Sequence, residues 1–189
     1  TATSLFDGHD AAINIMRRII QDTGAEVIHL GHNRSVQEIV DAAIEEDVQG
    51  VAVSSYQGGH IEFFKYLVDL LRERGAPHVK VFGGGGGVIV PEEIRALEVY
   101  GVAKIYSPED GAQMGLQGMI NHLVQALDFP TVQDFNFALD GLSPDNKRLV
   151  AHLISAAEAA KARQNGHLAK LRAEVARRIG GRKVPVVGI

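Results

Sequence analysis

The 189-residue chain contains no cysteine and no tryptophan, and aromatic residues make up only 6% of it. Without thiols there can be no disulfide, thiolate zinc site, iron–sulfur cluster or cysteine nucleophile. Any metal is therefore held by histidine or carboxylate side chains, or arrives inside a cofactor. No run of about 18 apolar residues occurs, and the amino end lacks the basic-then-apolar layout of a signal peptide, so the expectation is a cytoplasmic protein without a membrane partner. Basic runs are scarce as well. The net charge is −4, and the one locally basic stretch is Arg177-Arg178 to Arg182-Lys183, which excludes a broad nucleic-acid surface.

What the chain does have is apolar patterning, with 46% hydrophobic residues, enough for one domain of ordinary size and a real core. Thr1 to Leu5 reads as the tail of a strand and Ala11 to Thr23 as a helix with Ile13, Met16, Ile19 and Ile20 on one face. Glu26 to Leu30 reads as a second strand. Ser35 and Glu38 form a capping-box pattern before a helix whose apolar positions are Val36, Ile39, Val40, Ala43 and Ile44. Gly50 to Ser55 is a near-continuous apolar run, as in a strand covered on both faces, followed by a helix over Ile61 to Arg74. Val79 to Phe82, a helix opened by Pro91 and ending near Tyr100, Val102 to Tyr106, and a helix over Asp110 to Leu127 complete the series.

Strand and helix thus alternate five times, which predicts an α/β fold: a flavodoxin-like, Rossmann-type five-stranded parallel sheet with helices on both faces, over residues 1–127. In such a sheet the loops after the strands share one edge, where ligands bind. Residues 128–183 read as a connector carrying Phe129, Phe135 and Phe137, then a helical linker opened by Ser143-Pro144 and interrupted at Asn165-Gly166. Its apolar stripe is Leu149, Leu153, Ile154, Leu168, Leu171, Val175 and Ile179. Val184 to Ile189 reads as a strand that starts as the chain stops, so both ends read as cut.

Chemistry concentrates in the loops expected on that edge. Asp7-Gly8-His9-Asp10-Ala11-Ala12 puts a carboxylate two residues from an imidazole; such a pair can orient a metal ligand, or serve only a turn or a cap. Residues 13 to 53, 41 in all, separate it from Ser54-Ser55-Tyr56, and residues 57 to 82, 26 in all, separate that triplet from Gly83-Gly84-Gly85-Gly86-Gly87. A backbone without Cβ atoms lets a flat ring or a phosphate approach closely.

These three elements, at these spacings, resemble the cobalamin-binding domain of adenosylcobalamin-dependent acyl-CoA mutases, with its motifs D-x-H-x-x-G, S-x-L and G-G. The segment Gly87-Val88-Ile89 with Pro91 is similar too. The closest likeness is to the fused isobutyryl-CoA mutases. The resemblance implies adenosylcobalamin bound with His9 as the lower axial ligand of cobalt, replacing the cofactor's benzimidazole, and Asp7 accepting the other imidazole N–H. It also implies that the displaced tail lies beside Gly83 to Gly87, with Ser54 offering its hydroxyl and Tyr106, Ser107 and Pro108 near the tail.

Gly8, Asp10, Ala11, Ala12, Tyr56, Gly58, Gly59 and His60 complete the expected cofactor edge, His60 as a corrin contact or as a solvated loop histidine. Ala12 and Tyr56 depart from the motif, which has glycine and leucine there. By the same resemblance, a GTP- and magnesium-binding G-protein chaperone domain follows the helical linker, starting at 184–189, and then a substrate barrel in a homodimeric isomerase. The chain itself would bind cofactor and hold no catalytic residue. Two readings compete: a corrinoid carrier or cobalamin sensor, and a flavin- or phosphate-binding flavodoxin-like module that uses the glycine run.

Overall fold

The computed structural model describes residues 1–132, 139–163 and 166–180. The described chain divides into two compact units, Thr1–Thr131 and Val132–Ile189. In the first, the elements run β1 (Ala2–Ser4), α1 (Ala11–Asp22), β2 (Gly31–Arg34), α2 (Val36–Glu45), β3 (Gly50–Ser54), α3 (His60–Glu73), β4 (Lys80–Gly84), α4 (Pro91–Tyr100), β5 (Lys104–Tyr106) and α5 (Pro108–Leu127). All strand pairings are parallel, in the order β2-β1-β3-β4-β5, so the flavodoxin-like topology is present and its switch point lies between β1 and β3.

The apolar strands are covered on both faces. One core joins α2, α3 and α4 to the sheet through Val40, Phe64, Leu67, Leu97 and Val53, all essentially inaccessible. A smaller one joins α1 and α5 to the opposite face through Ile20, Phe82, Ile120 and Leu123. Alternation along β3 and β4 sends Val53 and Gly83 toward the first and Phe82 and Gly84 toward the second, because successive residues of a strand point to opposite faces.

The second strand differs from the sequence expectation. It is not Glu26 to Leu30 but Gly31–Arg34, at the sheet's edge, where a strand with the exposed polar residues His32 and Asn33 is tolerated. The apolar run before it is an extended approach: Leu30 donates its N–H to Thr1 O (2.9 Å), and Val27 and Leu30 pack against opposite cores. Ser35 does cap α2 in a full capping box with Glu38. α5 starts two residues earlier than expected, capped by Ser107 with Pro108 in the first turn, and Gly115 (φ 65°, ψ 171°) breaks its helical path.

In the second unit a short 3₁₀ turn (Leu139–Gly141) precedes α6 (Lys147–Arg163) and α7 (His167–Ile179), which form a hairpin. Ser143-Pro144 does not open α6. Ser143 instead accepts the N–H of Asn146 to close a turn, and Asn146 Oδ1 accepts the N–H of Leu149 as the cap. Of the expected stripe, Leu153 is buried but Ile154 is 57% exposed, and the buried face of α6 runs through Ala156 and Ala160. Phe135, Phe137, the break at Asn165 and the strand at Val184 to Ile189 lie outside the described residues. No described helix is long and apolar enough to cross a membrane.

The glycine run is not uniform. A Cβ on Gly83 would overlap the Phe64 ring and Ile105, whereas one on Gly87 would meet nothing within 4 Å. Gly83→Ala is therefore expected to destabilise by about 1–3 kcal/mol, as overpacking does, and Gly87→Ala to stay within about 0.5 kcal/mol of the parent, both measured by urea unfolding.

Candidate functional site

The carboxyl ends of β1, β3 and β4 bring the three unusual loops to one edge, as the alternation requires. Asp7 ends the β1 turn, its N–H donated to Ser4 O (3.2 Å), and its side chain is 1% exposed. That carboxylate accepts three hydrogen bonds. Oδ1 takes the His9 N–H and His9 Nδ1, each at 2.9 Å, and Oδ2 takes the Tyr56 N–H at 2.5 Å. Burial alone would raise the Asp7 pKa; the backbone donors of Tyr56 and His9, with the His9 imidazole, outweigh it and hold the group below its ordinary 3.8.

A carboxylate can only accept, so the proton on a neutral His9 sits on Nδ1 and Nε2 keeps its lone pair. The His9 side chain is 77% exposed, unlike its partner. Its ring lies 5.5 Å from the Tyr56 ring at an interplanar angle of 37°. Ser54 Oγ donates to His9 O (3.4 Å), so β3 holds this loop through a side chain as well as through the Tyr56 backbone. Just before Asp7, Phe6 is 86% exposed at φ 62°, with its N–H donated to Asn33 Oδ1 (2.8 Å).

Beside this loop a cavity of about 270 Å³ opens between α1, the ends of β3, β4 and β5, and α5. Of the expected site residues, Ala12, Ser54, Tyr56, Gly83, Gly84, Gly85, Gly86, Tyr106, Ser107 and Pro108 line it. Gly85 and Gly86 form a backbone wall: a Cβ on Gly85 would overlap Ser55 O, and Gly86 stands at φ +58° with its Cβ position 2.8 Å from Tyr56 Cε1. Ser107 is at the same time the N-cap of α5. Asp7, Gly8, His9, Asp10 and Ala11 belong to the loop before α1 and to its first residue and do not themselves line the cavity; nor do Gly58, Gly59, His60 and Gly87.

His60 is neither a solvated loop residue nor open to a ligand through its ring nitrogens. It is 4% exposed at the start of α3, with Nδ1 on Gln57 O (3.0 Å) and Nε2 on Glu93 (2.9 Å), which ties α3 to the first turn of α4.

The structure adds residues that the sequence placed only within apolar strands and helices. Ile13, Met16 and Ile20 of α1, Phe82, and Met119, Ile120 and Leu123 of α5 form the cavity's apolar walls. Their helical spacing signals burial without saying that the buried face is hollow. Phe82 stacks on Tyr106 (6.4 Å, 13°), whose hydroxyl bonds His122 Nδ1 (2.8 Å) and donates to Met119 O (3.1 Å). Burial, with Asp110 nearby, raises the Tyr106 pKa to about 12, so it stays a neutral hydroxyl. No signal in the sequence pairs His122 with Tyr106. Thr3, beside Ser54 in register, is fully buried and its Oγ1 has no partner among the described residues.

No group of three or more His, Cys, Asp or Glu among the described residues could hold a metal ion. The arrangement can do something narrower: offer a single imidazole nitrogen, its tautomer set by Asp7, beside an apolar slot.

The comparisons fit this geometry. A family model for the B12 binding domain matches residues 1–115. The chain is 57% identical over 191 residues to a fused isobutyryl-CoA mutase of Geobacillus kaustophilus, an alignment that covers 100% of this chain and 18% of that protein. It is 64% identical over 162 residues to a fused isobutyryl-CoA mutase of Cupriavidus metallidurans, covering 86% of this chain and 15% of that one. The chain therefore spans under a fifth of the length of these curated relatives. Among solved structures, a cobalamin-binding protein from Desulfitobacterium hafniense DCB-2 superposes with a TM-score of 0.53 at 21% identity, over 66% of this chain and 57% of that chain, a likeness of fold.

Because the folded-state pKa of Asp7 is depressed, the stability it contributes is present above its unfolded value and is lost as pH falls through the folded one. Acid titration of unfolding should show stability of the first unit falling below about pH 4. In Asp7→Asn that fall should be smaller, from a lower starting stability.

Proposed function

The chain belongs to the B12-binding domain family, and on that premise we propose that it binds adenosylcobalamin in the base-off, histidine-on mode, as the cofactor domain of a cytoplasmic acyl-CoA mutase that converts isobutyryl-CoA to n-butyryl-CoA. The single observation that carries the reading is the pairing of a buried Asp7 with an exposed His9 on a loop held by Ser54 and Tyr56, which line a glycine-walled cavity. The donor set fits the group. Cobalt inside a corrin brings its own equatorial ligands and needs one axial nitrogen from the protein, which is what His9 Nε2 offers. The cofactor's detached dimethylbenzimidazole arm is flat and largely apolar, and the slot beside His9 has apolar side walls with backbone and hydroxyl groups at one side.

The roles follow from chemistry. Asp7 fixes the tautomer of His9 and anchors its ring through Nδ1. Ser54 offers a hydroxyl group to the arm, the Tyr106 ring lines its slot, Gly84 to Gly86 let it lie against the backbone, and the methyl of Ala12 narrows the slot from α1. Adenosylcobalamin, when bound, supplies a cobalt–carbon bond that breaks homolytically and starts a radical rearrangement. The present residues bind and orient, and none of them reacts with the acyl-CoA. That task falls to a substrate barrel elsewhere in a homodimeric enzyme, with residues 128–183 leading toward a GTP- and magnesium-binding chaperone domain. No basic side chain is among those lining the cavity, which favours this reading over a phosphate-binding module.

Two experiments test it. Adenosylcobalamin added to the chain should give the base-off, histidine-on absorption spectrum; His9→Ala should abolish that signature, and Asp7→Asn should weaken binding by roughly 10- to 100-fold, the usual cost of removing a ligand's hydrogen-bond partner. An unchanged spectrum in His9→Ala would refute the ligand assignment. Cobinamide, which lacks the arm, should bind about tenfold or more weakly than cobalamin, the scale of burying one aromatic ring. Gly84→Leu, whose side chain would grow into the cavity from a position where a Cβ meets only Tyr106 O at 3.5 Å, should erase that difference.

A further inference from the structure

The aromatic ring of Tyr56 occupies a place that its backbone role does not require. Its N–H holds Asp7, and any residue but proline supplies an N–H. Its ring, however, leans on the His9 imidazole at 5.5 Å, and on another side it reaches the Gly86 backbone so closely that a Cβ there would stand 2.8 Å from Cε1. Gly86 adopts φ +58°, a conformation that suits glycine, and the ring approaches its backbone this closely only because no Cβ is there.

His9 is otherwise poorly restrained. One hydrogen bond through Nδ1 leaves the ring free to swing about the Asp7 contact, and its side chain is 77% exposed, so little else packs on it. An imidazole that wanders offers its second nitrogen in the wrong direction for part of the time, and binding must then include the entropy of ordering it.

We propose that Tyr56 is a positioning residue: its ring, backed by Gly86, braces the His9 imidazole so that Nε2 is held in the direction a metal must approach. This rests on the cobalamin reading above and deepens it. The ring does the bracing and the hydroxyl is dispensable, since the contact with His9 is between the two rings. The leucine of the S-x-L motif would keep the N–H to Asp7 and lose the planar contact, so the brace is a property of this chain's Tyr56.

The test uses the chain with Tyr56→Leu, Tyr56→Phe, Gly86→Ala and the Tyr56→Leu/Gly86→Ala double variant, with three readouts. The first is the nuclear Overhauser effect between the rings of residues 56 and 9 in the free chain. The second is the dissociation constant for adenosylcobalamin, and the third is the fraction in the histidine-on form at saturation. Tyr56→Leu should weaken binding about three- to tenfold, the scale of one aromatic pair, and lower the histidine-on fraction, while Tyr56→Phe should match the parent in all three readouts.

Gly86→Ala should act like Tyr56→Leu in the parent, and should cost less when added to Tyr56→Leu, where there is no ring to displace. Because the φ strain of an alanine at position 86 is present in both backgrounds, it cancels from that difference. A histidine-on fraction unchanged in Tyr56→Leu, or full additivity of the two substitutions, would overturn the brace. If the parent itself showed no histidine-on form, the cobalamin reading would fail instead, and the Overhauser effect would still report whether the rings touch in the free chain.

Discussion

A carboxylate taken out of water must be met by donors or it will not stay ionised, and the site is arranged around one such group, Asp7. Its three hydrogen bonds come from two loops: two from His9, inside the β1 loop, and one from the Tyr56 backbone after β3. The same contacts that keep Asp7 charged therefore bind the two strands flanking the switch point at their carboxyl ends and set the tautomer of His9. Folding and site geometry share these bonds.

The glycine run has the complementary role. Gly83 faces the α3 side and is glycine because Phe64 and Ile105 already fill that space. Gly84, one residue on, faces the α1 and α5 side, where the cavity is. Gly85 and Gly86 carry the wall past Ser55 and Tyr56. A single stretch of backbone thus packs against Phe64 and Ile105 on the face under α2, α3 and α4 and borders the cavity on the other, between α1 and α5.

Much of this was legible from residues alone, because parallel strands covered on both faces are read from apolar runs and capped helices from side-chain chemistry. Ser35 with Glu38 and the apolar run of β3 are examples. The edge strand was not, since β2 has neither an apolar run nor a buried face; the apolar residues before it mark its approach, not the strand. The start of α6 was misplaced because Ser143-Pro144 makes as good a turn as a cap, and the choice fell to Asn146. That Asp7, His9, Ser54 and the glycine run share one edge was legible from their places after β1, β3 and β4, whereas the contacts of His60 and His122 depend on partners 33 and 16 residues away that no local pattern announces. The hollow between α1 and α5 was invisible for a different reason: periodicity reports that a face is buried, not whether its neighbours touch.

The most direct measurement is electron paramagnetic resonance of the chain loaded with the cobalt(II) form of cobalamin, prepared with and without nitrogen-15 in its histidines only. If His9 is the axial ligand, each cobalt line is split into a triplet by ordinary nitrogen and into a doublet in the labelled protein. A triplet that survives labelling would show that the nitrogen belongs to the cofactor's own base, and would contradict the assignment of His9.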